Sequence, residues 1–112
     1  MDRRGDAATD VATRLLQAVA AGDGAAACAL LAPETAAELA DSPGPRCEDA
    51  VLEESLPAPG AARGVHVYGQ WEQVRLADDT VFLAAFPGGW RVVAAGCKPG
   101  GGSGPYDCAV KG

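Results

Sequence analysis

The hydrophobic period of the chain changes once, at the linker Pro-Ala-Pro-Gly in positions 57–60. Before this linker, apolar residues recur at the 3.6-residue spacing of amphipathic helices. After it, they alternate with polar residues as they do in β-strands. We therefore predict a single α+β domain over residues 9–112, with N-terminal helices (9–56) packed on one face of a curved antiparallel sheet (64–96). Residues 1–8 are charged, and we expect them to form a disordered arm.

Local signals divide the first half of the chain into four helices. Thr9 or Asp10 can cap the first helix, and Gly22 is suited to the left-handed position that ends it. Asp23 can cap the second helix, and Pro33 ends that helix and starts the third. The predicted helices span about 9–21, 25–32, 33–40 and 47–55.

Four strands are predicted in the second half, at residues 65–68, 71–76, 80–86 and 90–95. Short connections at 78–79 and 87–89 make successive strands antiparallel neighbours. The third strand is apolar on both faces, so we place it centrally. The second strand carries Glu72, Gln73 and Arg75 and is expected to be half exposed. The remaining residues, 97–112, are expected to form a glycine-rich tail closed by a disulfide.

The chain has few large apolar side chains, because 24 of its 112 residues are alanine and none is isoleucine. Small cores need covalent staples, and four cysteines are present. Cys28 and Cys47 enclose eighteen residues, and Cys97 and Cys108 enclose ten. We predict disulfides Cys28–Cys47 and Cys97–Cys108, one of the three connectivities that four cysteines allow. The alternative is four buried, unpaired thiols of a cytoplasmic protein.

Composition also disfavours several classes of function. Nine Lys and Arg against fifteen Asp and Glu give a formal charge of −6, which argues against a nucleic-acid partner. No run of eighteen apolar residues is present, so no membrane span is expected. The chain has no Cys-x-x-Cys pair, and its single histidine, His66, lies outside any zinc-binding spacing. We therefore expect no metal and no other cofactor.

The cysteine pattern is typical of an oxidising compartment, so we expect an extracytoplasmic protein, either secreted or lipid-anchored at the cell surface. The first six residues lack the apolar core of a signal peptide. We expect that a leader, or a lipid-modified cysteine, has been trimmed and that Met1 is an added start.

One segment resembles a known superfamily. The run LLQAVAAGDGAAACALLAP at residues 15–33 resembles the opening helices of the NTF2-like superfamily, which includes SnoaL-like and ketosteroid-isomerase-like proteins. In that superfamily a Gly-Asp break between helices precedes a Leu-Leu-x-Pro corner. The ending, residues 90–99 and 105–112, looks like that of small exported proteins and lipoproteins of actinobacteria. The resemblance implies a cone in which a curved sheet wraps around helices, with room for a pocket between them. It implies no single activity, because the fold hosts enzymes, carriers and interaction modules.

Three aromatic residues are candidate ligand contacts: Tyr68, Trp71 and Trp90. A tyrosine such as Tyr68 opposite a carboxylate would match isomerase chemistry, but no acidic residue is placed convincingly for it. His66 alternates with Val65 and Val67, which are expected to point inward, so His66 is expected to point into solvent, away from any nucleophile or orienting acid. No catalytic residue is assigned.

Three functions remain open. The leading hypothesis is an exported, non-catalytic NTF2-like domain of the cell surface that binds a protein or a small ligand. The alternative is a SnoaL- or isomerase-type enzyme acting on a small apolar molecule, which requires a deep pocket with a carboxylate or His66 inside. The third is an assembly role, in which the open sheet face forms a homodimer.

Overall fold

The computed structural model describes residues 3–40, 44–54, 56–99 and 106–111. In this part of the chain, four helices precede five strands that form one antiparallel sheet, which confirms the α+β class. The helices are α1 (Arg3–Ala20), α2 (Gly24–Ala29), α3 (Pro33–Leu39) and α4 (Cys47–Glu53). The strands are β1 (Ala62–Tyr68), β2 (Trp71–Leu76), β3 (Thr80–Phe86), β4 (Gly89–Pro99) and β5 (Tyr106–Lys111).

The first helix is longer than the sequence indicated. It begins at Arg3, so residues 3–8 are helical where we expected a disordered arm. Ala8 is fully buried together with Ala12 and Leu15, which follow it at helical spacing on the same face. The apolar stripe of α1 therefore starts about two turns earlier than its larger side chains suggest.

The predicted signals at Gly22, Asp23 and the start of α3 are confirmed, but α2 ends at Ala29 and not at Pro33 as predicted, because residues 30–32 pair with β4. Gly22 has a φ of 75°, the left-handed conformation that ends α1. The Asp23 side chain accepts a hydrogen bond of 3.0 Å from the backbone N–H of Ala26 and so caps α2. Pro33 lies in the first turn of α3. An N–H group at this position would have no acceptor within the helix, so proline costs no hydrogen bond there.

The strand order in the sheet is β1-β2-β3-β4-β5, with five strands where about four were expected. The additional strand, β5, lies in the region predicted to be an irregular tail. Cys108 of β5 is directly opposite Cys97 of β4, and Val110 of β5 is buried in the core. A disulfide and a buried valine thus fix this strand on the sheet. The glycine-rich residues 100–105 lie outside the described residues.

Strand β4 carries two irregularities in its pairing with β3. The register shifts between the pairs Thr80–Cys97 and Phe82–Ala94, and again between the latter and Leu83–Val92. Gly96 lies in the first shift and has a φ of 66°, a conformation that favours glycine. Such bulges bend a strand and increase its twist, so β4 curves along its length.

The core lies between the helix layer and one face of the sheet and consists of aliphatic side chains. Leu15, Leu16 and Leu31 come from the helical half, and Val74 and Leu83 are among those that come from the sheet. Trp90 packs against this core but is itself only partly buried. The large aromatic side chains therefore remain at the margin of the fold.

The helical half is joined to the sheet by backbone hydrogen bonds and is closed by a disulfide. The Ala32 N–H donates to Val92 at 2.7 Å, and the Val92 N–H donates to Leu30 at 2.9 Å, so the α2–α3 connection pairs with β4. Cys28 of α2 is bonded to Cys47 of α4. The second disulfide joins Cys97 to Cys108, and both predicted pairings are confirmed.

None of the helices in the described ranges has the length and hydropathy that a membrane span needs.

Candidate functional site

The register of the sheet brings the three candidate aromatic residues to one end of the domain. Tyr68 pairs with Trp71, and Trp71 pairs in turn with Ala84 of β3. The next residue of β3, Ala85, pairs with Trp90 of β4. This end of the sheet carries the β1–β2 and β3–β4 turns. The Tyr68 side chain lies outside the described residues.

Trp71 and Trp90 nevertheless lie on opposite faces of the sheet. Trp90 and Val92 are two residues apart on β4 and therefore point to the same face of the sheet. Val92 is buried, pairs with the buried Leu83 and faces the helices. Trp71 precedes Glu72, which also pairs with Leu83, so Trp71 faces away from the helices. The indole of Trp71 is 52% exposed, whereas that of Trp90 packs against the core. The two tryptophans therefore cannot contact one small ligand together.

Trp90 lines a cleft of about 350 Å³ where the helix layer meets the sheet, which we call the Trp90 cleft. Its walls come from the first half of α1, the end of α2 and the β3–β4 turn. Val11 and Leu30 extend the apolar surface of Trp90. The charged residues at the cleft are Asp10, Arg14 and Arg91. Sequence analysis identified Trp90 but none of these partners, because they come from elements far apart in the chain.

The charged groups of the Trp90 cleft are held loosely. The Arg14 Nη1 and Asp10 Oδ2 atoms are 3.6 Å apart, and both side chains are more than half exposed. The Arg91 Nη1 atom donates a long hydrogen bond of 3.4 Å to the carbonyl of Ala29. Exposed pairs of this kind contribute at most about 1 kcal/mol to stability. Both guanidinium groups can therefore change partners at little cost.

At the opposite end of the sheet, Asp79 has a structural role that sequence analysis missed. It is 6% exposed, and its Oδ1 atom accepts hydrogen bonds from the N–H groups of Thr80 (2.8 Å) and Cys97 (2.9 Å). Its Oδ2 atom accepts one from Gly96 at 3.0 Å. The carboxylate thus fixes the bulge of β4 to the β2–β3 turn. Asp79 also lines a cleft of about 440 Å³ with Arg63 and Arg75, but its oxygens are committed to the backbone.

Strand β2 is more buried than predicted. Glu72 is 1% exposed and Gln73 is also buried, so of the three polar residues expected at the surface only Arg75 is exposed. Glu72 has the parity of Val74 and Leu76 and faces the helices with them. Gln73 lies on the other face, between His66 and Phe82 in the register. Glu72 lines neither the Trp90 cleft nor the cleft beside Asp79.

His66 lies exposed on the edge strand β1, with Gln73 as its cross-strand neighbour. Val67 faces the helix side as predicted, but it is 40% exposed and does not belong to the core. The acidic first turn of α4 pairs with a local cation: Arg46 lies 3.0 Å from Glu48 and 3.6 Å from Asp49.

Among the described residues, no group of three or more His, Cys, Asp and Glu side chains is arranged to hold a metal ion.

No family model matches the chain, and no match was found among curated proteins or solved structures. The function is therefore inferred from the geometry of the clefts and from the chemistry of the residues that line them.

Proposed function

We propose that this chain is an extracytoplasmic, non-catalytic NTF2-like binding domain that holds a small ligand in the Trp90 cleft. The observation that carries the proposal is the composition of this cleft. It combines an aromatic wall and two aliphatic side chains with a few charged groups at the junction of two layers. Small-molecule sites combine apolar and aromatic walls with a small number of polar groups, and the volume of this cleft lies at the low end of their usual range of about 300–1,000 Å³.

The packing of the interior supports a binding role. The space between helices and sheet is filled by alanine, leucine and valine side chains. His66 is exposed on an edge strand, and it is not among the residues lining the Trp90 cleft. General acid–base catalysis needs a titratable group within hydrogen-bond reach of the substrate. Of the described residues that line the Trp90 cleft, Asp10 alone has a side chain of the usual acid–base types, and it is exposed and close to Arg14.

The two disulfides support the proposed compartment, since such bonds persist in secreted and surface proteins and are rare in the cytosol. Anchoring by a lipid would place the same domain at the cell surface.

A second candidate function, an isomerase-type enzyme, is favoured by one observation, the buried carboxyl group of Glu72. Glu72 lies between the sheet and the helices, where that class of enzyme would hold its base. An enzyme of this kind would need a path from solvent to Glu72. Glu72 is 1% exposed and does not line the Trp90 cleft, so we rank this function second.

The proposal is tested by NMR titration of the oxidised protein with two neutral aromatic probes, phenol and indole. The chain has two tryptophans, and the variant Trp71→Phe assigns their indole N–H resonances. We expect the Trp90 resonance to shift on titration and the Trp71 resonance to stay in place. A shift of Trp71 alone would move the binding surface to the outer face of the sheet. No shift of either indole would exclude the Trp90 cleft as a ligand site.

A further inference from the structure

We propose that the Trp90 cleft selects a small aromatic carboxylate over a neutral molecule of the same shape. This inference rests on the proposed function, because it names the ligand class of the same site. Three observations carry it: the balance of charge at the cleft, the free hydrogen-bonding capacity of its arginines, and the space beside Trp90.

The cleft has a positive balance of charge on an acidic protein. Among the described residues that line it, two guanidinium groups, those of Arg14 and Arg91, stand against one carboxylate, that of Asp10. The whole chain carries a formal charge of −6, so this excess is opposite in sign to the protein as a whole. A local field of this sign attracts anions.

The arginines also have donors to spare. A guanidinium carries five N–H donors, and the described structure commits one of those on Arg91, to the carbonyl of Ala29. Arg14 faces Asp10 at 3.6 Å, beyond the usual length of a charge-assisted hydrogen bond. A carboxylate matches the planar guanidinium fork, since it accepts two parallel hydrogen bonds from it.

The turn next to Trp90 leaves open space at the edge of the cleft. Gly88 and Gly89 form the turn at the edge of the cleft, with φ values of 104° and 132° that favour glycine. A Cβ atom added at either glycine would meet nothing within 4 Å, so the turn leaves open space there. Trp90 provides an aromatic surface, and aromatic rings pair favourably in offset or edge-to-face arrangements. A ring against Trp90 would place its carboxylate toward Arg14 and Arg91.

The test compares three probes on the whole oxidised chain by NMR titration: benzoate, its neutral isostere benzamide, and acetate, which has the charge without the ring. We expect benzoate to shift the Trp90 indole N–H and the amides of Gly88 and Gly89. We expect benzamide and acetate to bind at the same place about tenfold more weakly, the effect of one charge-assisted hydrogen bond or of the ring.

Two variants, Arg14→Ala and Arg91→Ala, should reduce benzoate affinity to that of benzamide. Arg63→Ala is the matched control, because it removes the same charge from an exposed residue that does not line the cleft. Retained dispersion of the amide spectrum shows that each variant is folded. Equal binding of benzoate and benzamide at Trp90 would overturn the carboxylate proposal and leave the proposed function standing. Loss of benzoate selectivity in Arg63→Ala would also overturn it, because the selectivity would then come from overall charge. If none of the probes shifts Trp90, both proposals are wrong.

Discussion

At the scale of single residues, Asp79 shows how one carboxylate can hold two strands of a sheet together. Its two oxygens accept backbone hydrogen bonds from Thr80, Gly96 and Cys97, which belong to β3 and to the bulge of β4. Backbone N–H groups that are buried without an acceptor are costly, about 1–3 kcal/mol each. Asp79 therefore determines whether the bulge can be buried at all.

We expect Asp79→Ala to lower the free energy of unfolding by about 2–4 kcal/mol, because it removes the acceptor for three N–H groups. Its neighbour Asp78 is exposed, and Asp78→Ala is the matched control, with an expected change within about 0.5 kcal/mol. Urea denaturation of both variants gives the two values. If Asp79→Ala lost as little stability as Asp78→Ala, the bulge would be held by contacts other than the Asp79 carboxylate.

Strand β2 shows how far the orientation and burial of single side chains could be predicted from the sequence. The two-residue period places Glu72 on the same face as Val74 and Leu76, so its inward direction follows from the sequence once those two are assigned to the core. We predicted it at the surface because a charged side chain rarely lies inside. The burial of Gln73 has another origin. It lies on the outer face, and its burial there depends on neighbours in adjacent strands that no local pattern identifies.

At the scale of elements, the helical half depends on contacts between short helices. The helices α2 and α4 have six and seven residues, too few to be stable alone. They pack so closely that a Cβ atom at Gly24 would collide with the backbone carbonyl of Glu48. The Cys28–Cys47 disulfide joins the same two helices.

Replacing both Cys28 and Cys47 by serine should cost about 2–5 kcal/mol, since it removes the covalent link between helices that have little stability of their own. Hydrogen exchange should show that α2 and α4 lose protection first. The double replacement of Cys97 and Cys108 is the comparison, because it removes the shorter link, between residues 11 apart instead of 19. That variant should leave the protection of α4 unchanged. Unaltered protection of α4 without Cys28–Cys47 would mean that packing alone holds it.

Element boundaries were predicted well where a capping or turn residue marks them, as at Gly22, Asp23 and Pro33. Other boundaries were missed: α2 ends at Ala29 and not at 32, β1 begins at Ala62 and not at 65, and β4 extends to Pro99 and not to 95. The start of α1 was placed too late because small alanines carry its buried face, and alanine gives a weak hydrophobic signal. Strand β5 was missed because the glycine-rich run before it outweighed the alternation of Cys108 and Val110 with polar or small residues.

At the scale of the whole molecule, the change of hydrophobic period and the cysteine spacing were sufficient to predict the α+β class and both disulfides. The candidate site was predicted only in part. The sequence singled out the tryptophans, but only the register shows that they lie at one end of the sheet on opposite faces. The arginines of the Trp90 cleft come from α1 and β4, and their proximity to each other depends on tertiary packing.

We propose that the ligand binds in the Trp90 cleft, where the edge of the helix layer meets the sheet, and does not enter the packed interior. Intermolecular nuclear Overhauser effects from the ring protons of bound benzoate to methyl-labelled valine and leucine test it directly. We predict contacts to the methyl groups of Val11 and Leu30, which line the cleft. Contacts to Val74 and Leu83, which lie beside Glu72 in the core, would contradict the account and favour the isomerase-type enzyme.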